Sequence, residues 1–180
     1  TLSAILTCLE ISCLSISPHS IDAKQNDFQV IRNLPYSNQN NIRQELDLFI
    51  PKERNHKKLS RDKSDLPPMI VWIHGGGWRQ GSKESGGHPP RLPKIVETGR
   101  YFGASINYRL SAEQNWPAQL FDCKAAIRWL RAKSYKYGYD GRRISVWGSS
   151  AGGHLALMLG TTNGKKEWEG SVGSFKKYSS

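Results

Sequence analysis

The chain has 180 residues, enough for one domain, and 37% of them are hydrophobic. With six Trp and seven Tyr, this content suffices for a hydrophobic core and excludes a chain that stays unfolded for lack of apolar residues. The net charge is +11, but the densest charged stretch, residues 53–63, mixes both signs as solvated loops do; no zinc-knuckle or RNP-like pattern accompanies it, so we expect no nucleic-acid partner.

Residues 1–27 are predicted to be a leader and linker, and residues 28–180 the folded domain. The stretch 2–17 is apolar and rich in small residues, as in the central region of a signal peptide, although Glu10 interrupts it and no basic segment precedes it. A secreted or periplasmic protein and a chain with a disordered leader are therefore alternative interpretations. No run of 18 apolar residues occurs, so no membrane-spanning helix is predicted.

Five segments carry strand patterns. Residues 28–32 and 45–50 alternate apolar and polar side chains, as half-buried strands do. Residues 69–74 and 101–108 are apolar on both faces, which is typical of the central strands of a helix-covered sheet. Residues 143–148 form a short fifth strand.

Three segments carry helix patterns. A short helix is expected over residues 91–99 and another over residues 150–159. The clearest helix, residues 117–137, begins at Pro117 and stops before Gly138, and its apolar residues recur every three or four positions. Strands that alternate with helices predict an α/β fold with a mainly parallel sheet and helices on both faces.

The strongest motif is Gly148-Ser149-Ser150-Ala151-Gly152, which follows the pattern G-x-S-x-G. The pentapeptide alone also fits a serine that caps a helix in a glycine turn. Here a predicted strand precedes it and a predicted helix follows at once, which is the arrangement of a nucleophile elbow. The helix N-terminus favours negative charge beside the hydroxyl. We therefore predict that Ser150 is a catalytic nucleophile, flanked by small residues because two elements crowd there.

A second motif, His74-Gly75-Gly76-Gly77-Trp78, lies at the end of the predicted strand 69–74. Three glycines also fit a flexible hairpin or a phosphate-binding turn, but no G-K-[ST] follows, which excludes a P-loop. Consecutive glycines let the backbone approach a substrate and point N–H groups into a site. Acyl transfer needs such donors because a tetrahedral oxyanion develops.

These motifs resemble those of the esterases and lipases marked by HGGG, the hormone-sensitive-lipase-like group. Residues 74–83 (HGGGWRQGSK), 106–111 (INYRLS), 116–132 (WPAQLFDCKAAIRWLRA) and 147–162 (WGSSAGGHLALMLGTT) are most similar to its feruloyl- and acetyl-xylan-esterase-like branch. The resemblance covers about residues 28–170.

This resemblance implies an α/β-hydrolase fold and the hydrolysis of carboxylic esters through an acyl-enzyme, with neither metal nor cofactor. The substrates it implies are small-molecule esters or acetyl and aryl esters on plant polysaccharide. It also implies an oxyanion hole formed by the backbone N–H groups of Gly76, Gly77 and Ala151. Ala151 follows from geometry as well, because it is the residue after the nucleophile.

Histidines near the two motifs are assigned structural roles. His74 is expected to brace the glycine-rich segment through its ring rather than to transfer protons. His154 lies one turn beyond Ser150 on the same helix, so its side chain is expected to point away from the attacking hydroxyl. His88 is expected in a loop, with a smaller chance of lining the pocket.

An acidic residue, two tryptophans and the cysteines are also interpreted as structural. Asp122 lies mid-helix beside Lys124, and an ion pair or a contact between helix and loop is the favoured interpretation. Trp78 and Trp116 could flank an aromatic substrate, but packing at the core or rim is favoured. The three cysteines support neither a disulfide framework nor a zinc site. Cys123 is expected to be a small buried hydrophobe.

The acid and the base of a serine triad have no candidate in the expected order. In this fold the acid and then the histidine follow the serine. No histidine follows His154, and the only acids after Ser150 are Glu167 and Glu169, in a polar segment. Losing the base costs about 10⁶ in kcat in well-studied triads. We therefore expect a fragment or truncated product that is inactive alone and whose strand 143–148 forms an exposed apolar edge.

Three alternatives remain open. The chain could be a non-catalytic pseudoenzyme or binding remnant. It could be an amidase such as an arylformamidase, which shares HGGGW-like loops. A basic nucleic-acid-binding protein is the third and least favoured interpretation.

Overall fold

The computed structural model describes residues 27–52, 66–85 and 91–178. Five strands are present in these ranges, β1 (Phe28–Pro35), β2 (Glu45–Pro51), β3 (Met69–Ile73), β4 (Phe102–Ile106) and β5 (Ile144–Gly148). They are accompanied by the helices α1 (Arg91–Glu97), α2 (Ala118–Tyr137) and α3 (Ala151–Thr161). Each corresponds to a predicted element, with ends that differ by a few residues.

Some predictions lie outside the described residues. The predicted leader lies outside them except for its last residue, so export and the division at residue 27 stay predictions. His88 also lies outside the described residues, and its position in a loop stays a prediction. No described helix is long and apolar enough to cross a membrane.

The strands form one mixed sheet in the order β1-β2-β4-β3-β5. Strands β4, β3 and β5 are mutually parallel, whereas β2 runs antiparallel to both β1 and β4. Four strands therefore point in one direction and β2 opposes them, which agrees with the predicted mainly parallel sheet. Among the described strands β5 pairs with β3 alone, so the predicted apolar strand does lie at an edge.

Helices cover both faces of the sheet. In β3, Met69, Val71 and Ile73 face one hydrophobic cluster, and Ile70 and Trp72 face the other. The larger cluster includes side chains of α2 and α3, and the smaller one includes Leu92 and Val96 of α1. Cys123 lies in the larger cluster, fully buried and with a free thiol. This two-sided burial is the reason that β3 and β4 are apolar throughout.

The ends of α2 follow the predicted signals with one difference. Gly138 adopts a left-handed conformation (φ 86°), and its N–H donates to the Ser134 carbonyl, as expected of a C-terminal stop. Pro117 is the N-terminal cap instead of the first helical residue, because its φ and ψ (−101°, 27°) are not helical.

Three cations among the described residues are buried, although no pattern in the sequence predicted their burial. Lys83 pairs with Asp47 of β2 at 3.0 Å. Lys124 and Arg128 of α2 both pair with Glu169, at 3.0 and 2.7 Å. Burial of these ammonium and guanidinium groups is tolerated because each has a carboxylate partner. The two α2 cations thereby anchor the chain that follows α3.

Candidate active site

The two sequence motifs meet at one edge of the sheet. His74 directly follows β3, and Ser149 directly follows β5, which are neighbouring parallel strands. A Cβ added at Gly75 would lie 2.7 Å from the Ser149 carbonyl oxygen and 3.5 Å from the Ser150 Cβ. The glycine loop, residues 74–81, is therefore packed directly against the turn that carries Ser150.

Ser150 occupies a sharp turn between β5 and α3. Its backbone has φ 51° and ψ −117°, a conformation that is strained for a residue with a side chain. It stands at the N-terminus of α3, yet its side chain makes no capping hydrogen bond. The alternative interpretation, a serine that caps a helix, therefore does not match this geometry. The hydroxyl lies where the helix dipole favours negative charge.

The glycines on either side of Ser150 are required by close backbone packing. A Cβ at Gly148 would lie 2.7 Å from the Ile73 carbonyl oxygen, and one at Gly152 would lie 2.5 Å from the His74 carbonyl oxygen. Cβ atoms do not approach backbone this closely without a shift. The pattern G-x-S-x-G therefore results from the contact of β5 and α3 with the end of β3.

The glycine loop folds back on itself. Gly76, Gly77 and Trp78 are consecutive residues with positive φ, of 110°, 58° and 61°. The N–H groups of Arg79 and Gln80 both donate to the Gly76 carbonyl, at 3.0 and 3.1 Å. A Cβ at Gly77 would meet no atom within 4 Å, so Gly77 faces open space. The loop thus presents its backbone, without side chains, beside Ser150.

Backbone donors remain unused on this edge. Within the described ranges, no residue accepts a hydrogen bond from the N–H groups of Gly76, Gly77 or Ala151. Ala151 begins α3, and the N–H groups of a first helical turn have no intrahelical partner. Such a group of free donors can stabilise an anion that develops during a reaction. The residues predicted to form an oxyanion hole are therefore brought together with the predicted nucleophile.

His74 lies beneath the glycine loop with 1% of its surface exposed. Its Nδ1 is 2.7 Å from the Gly75 carbonyl oxygen, so Nδ1 carries a proton and donates. The ring stacks on Tyr108 with centroids 4.2 Å apart. Burial lowers the pKa of His74 below its ordinary value, and the Gly75 hydrogen bond, which raises it, does not compensate. The ring is held neutral in contact with the loop, as expected of a bracing residue.

An aromatic pocket adjoins Gly77. His154 lies between Trp78 and Trp116, with its ring centroid 5.4 Å from each indole. These three residues line a cavity of about 710 Å³ together with Gly77, Arg79, Ser111 and Gln119. Trp116 keeps 45% of its surface exposed. The His154 N–H donates to the Ser150 carbonyl at 3.1 Å, as in a helix. Among the described residues no hydrogen bond joins the His154 ring to the Ser150 hydroxyl, in agreement with the expected direction of the His154 side chain.

Asp122 forms the ion pair that the sequence suggested, but not with its helical neighbour Lys124. Its carboxylate accepts hydrogen bonds from the backbone and the guanidinium of Arg109, all between 2.8 and 2.9 Å. Gln44 donates to the same carboxylate at 2.8 Å. Lys124 instead turns toward Glu169. No pattern in the sequence links Arg109 to Asp122, because the contact joins a loop to a helix.

The described residues contain no cluster of three or more His, Cys, Asp or Glu that could hold a metal ion.

Comparison with known proteins identifies the family. The BD-FAE family model matches residues 46–180, three quarters of the chain. The chain belongs to the BD-FAE family. The chain is also similar to the esterase LipC of Mycobacterium tuberculosis, with 33% identity over 61% of the chain and 28% of LipC. It is 35% identical to the arylacetamide deacetylase of Oryctolagus cuniculus, over 62% of the chain and 27% of that protein.

Solved structures place this BD-FAE protein in the α/β-hydrolase fold. A truncated form of a carbohydrate esterase from gut microbiota matches with a TM-score of 0.70 and 30% identity, over 85% of the chain and 54% of that structure. The esterase relatives confirm the family predicted from the motifs. The chain spans about a quarter of the length of the two curated relatives.

Proposed function

We propose that this chain carries the nucleophile and the oxyanion-binding backbone of a serine carboxylic-ester hydrolase. The hydroxyl of Ser150 attacks the acyl carbon, and the N–H groups of Gly76, Gly77 and Ala151 hold the oxyanion. The acyl group is transferred to Ser150, the alcohol leaves, and water then releases the acid. The observation that carries the proposal is the strained turn of Ser150 packed against a glycine loop with free donors.

The described residues place no base at the Ser150 hydroxyl. His74 is buried and uses Nδ1 to bind the Gly75 carbonyl. His154 lies between two tryptophans, and Glu169 is paired with two cations of α2. A serine hydroxyl without a base remains protonated and reacts slowly. We therefore expect the 180-residue chain, assayed alone, to fall far below ordinary esterase rates.

Labelling by a fluorophosphonate probe tests the role of Ser150. We expect slow labelling of the 180-residue chain that is lost in Ser150→Ala and retained in Ser149→Ala, the matched control beside it. Labelling of both variants at the wild-type rate would contradict the assignment of Ser150. The complete absence of labelling would instead favour the non-catalytic alternative. Ser150-dependent turnover of p-nitrophenyl acetate at ordinary rates would overturn the expected low activity.

The aromatic pocket supports ring-bearing esters as substrates. Its volume of about 710 Å³ is within the range of small-molecule sites and much larger than an acetyl group requires. An aromatic ring can stack on the exposed face of Trp116, whereas Arg79 and Ser111 offer polar groups at the rim. Replacing Trp116 by Ala should weaken the binding of aryl esters, measured by quenching of tryptophan fluorescence. The far-side control Tyr135→Ala should leave it unchanged.

An amidase is the second candidate function, because one relative is named as an arylacetamide deacetylase. The same nucleophile and donors would serve, since both substrates pass through a tetrahedral oxyanion. Matched aryl acetates and aryl acetamides distinguish the two. Faster acylation of Ser150 by the acetamide would replace the esterase assignment by the amidase one.

A further inference from the structure

The loop that follows β4 contacts the glycine loop at two points and the chain just beyond it at a third. We define the strap as residues 107–111. At one end, the Asn107 side chain accepts a hydrogen bond from the Lys83 N–H at 2.6 Å. In the middle, the Tyr108 hydroxyl donates to the His74 carbonyl at 3.0 Å, and its ring stacks on that of His74. The strap therefore contacts the start of the glycine loop and the chain two residues beyond its end.

The third contact lies beside the free donors. The Ser111 N–H donates to the Trp78 carbonyl at 2.8 Å. Trp78 has positive φ and directly follows Gly77, so the position of its carbonyl is coupled to the direction of the preceding backbone N–H groups. The Ser111–Trp78 hydrogen bond therefore restrains a loop that contains three consecutive residues with positive φ.

The strap is itself fastened by a buried carboxylate. Asp122 has no exposed side-chain surface and accepts three hydrogen bonds from Arg109, one from its backbone N–H and two from its guanidinium. Arg109 lies between the strap residues that contact His74 and Trp78. Gln44, also buried, completes the carboxylate's partners from the other side. Asp122 thereby ties the strap to α2, a rigid helix of 20 residues.

We propose that Asp122 is a positioning residue for the oxyanion-binding backbone, acting through Arg109 and the Ser111–Trp78 hydrogen bond. It touches no substrate. Its role is to fix the strap, so that the strap fixes the conformation of Gly77 and Trp78. This inference rests on the proposed function for the purpose of the donors, but the mechanical coupling stands on the contacts alone.

Amide hydrogen exchange in Asp122→Asn tests the coupling. The amide of Asn presents N–H donors toward the Arg109 guanidinium, so at least one charge-assisted hydrogen bond is lost. We expect the Ser111 N–H, and the Gln80 N–H that donates to Gly76, to exchange about tenfold faster or more, while amides of β3 are unchanged. Unchanged Ser111 exchange, or equal acceleration throughout the sheet, would overturn the proposal.

Asp140→Asn is the matched control. Asp140 is also buried and bound by two arginines, but it lies at the opposite edge of the sheet. Its replacement should leave Ser111 and Gln80 exchange unchanged; acceleration equal to that in Asp122→Asn would contradict a specific route through the strap. If Asp122→Asn does not fold, Arg109→Lys gives a milder test, since Lys lacks the forked geometry, and the same pattern is expected.

Fluorophosphonate labelling separates this proposal from the proposed function. Where wild-type Ser150 is labelled, Asp122→Asn should slow labelling and Asp140→Asn should not, because labelling needs the oxyanion donors in place. An equal rate in Asp122→Asn would count against the positioning role. Absence of labelling in the wild type would favour the non-catalytic alternative, while the exchange data would still decide whether Asp122 positions the loop.

Discussion

The parallel strands β3, β4 and β5 begin at one edge of the sheet and end at the opposite edge. These two edges differ in whether their polar groups have hydrogen-bond partners. At the edge where β3 and β5 end, Trp78 and Ser150 have positive φ, and donors of the adjacent backbone have no partner among the described residues. At the edge where β5 begins, Asp140 accepts hydrogen bonds from Arg142 and Arg143. Its own N–H donates to the Pro67 carbonyl at 2.9 Å.

This difference distinguishes the edge that carries the candidate site from the edge that stabilises the sheet. Strain and free donors cost stability, so they persist only where the surroundings impose them, as the contacts of Gly148 and Gly152 do here. At the opposite edge, hydrogen bonds from the Asp140 N–H to the Pro67 carbonyl and from the Met69 N–H to the Arg143 carbonyl join the turn before β5 to the start of β3. The same sheet therefore carries the candidate site at one edge and hydrogen-bonded polar groups at the other.

The largest expected loss of stability comes from a substitution at Gly152, where α3 packs against the end of β3. Gly152→Ala places a Cβ against the carbonyls of Ile73 and His74, which cannot move without disturbing β3. We expect a loss of about 2 to 3 kcal/mol in the free energy of unfolding, measured by urea denaturation. Gly160→Ala in the same helix is the control, since its Cβ would meet nothing within 4 Å; it should stabilise by about 0.5 kcal/mol. Similar losses in both variants would refute the steric explanation.

Removing the strain at Ser150 should stabilise the protein. Ser150→Gly relieves a conformation of φ 51° and ψ −117°, and strain of this kind costs of order 1 to 3 kcal/mol. After the entropy that glycine loses on folding, we expect a net gain of about 1 kcal/mol in urea denaturation. Ser149→Gly, where φ is not positive, should instead destabilise slightly. A destabilised Ser150→Gly variant would show that the turn is not strained.

The opposite edge should weaken in strong acid. Burial acts to raise the pKa of Asp140, but its hydrogen bonds with Arg142 and Arg143 outweigh this and lower the pKa to about 2. A carboxyl group with a lowered pKa stabilises the fold above its ordinary pKa of about 3.9, and this contribution is lost as the pH falls toward 2. Asp140→Asn should be less stable by about 1 kcal/mol at pH 7 and should lose less stability between pH 4 and 2. An unchanged acid profile in the variant would contradict this.

Mild acid should also destabilise the protein, through His74 at the edge that carries the candidate site. This effect should be the smallest of those predicted here. Burial lowers the pKa of His74, so the unfolded chain binds a proton more readily than the folded one. Stability is therefore full above the ordinary histidine pKa of about 6.5 and falls as the pH drops below it. His74→Gln should flatten the dependence of the urea midpoint on pH between 6.5 and 5. A wild-type urea midpoint that rises as the pH is lowered from 6.5 to 5 would contradict a buried neutral ring.

Local patterns predicted much of the fold and of the site. The elements, the two motifs and the burial of Cys123 all follow from periodicity and from signals such as Gly138. These features depend on residues that are neighbours in the sequence. The partner of Asp122 and the burial of Lys83 could not be predicted in this way, because both depend on distant segments.

The sequence by itself determined the family and the candidate nucleophile, because each of the two motifs consists of residues that are neighbours in the chain. Only the tertiary structure decided how the two motifs meet, since β3 and β5 become neighbours only through the sheet. It also decided that α2 holds the chain after α3 through Lys124 and Arg128, and that Asp122 is joined to the strap. Ion pairs between distant segments leave no periodic trace in the sequence, so these contacts had to be seen in three dimensions.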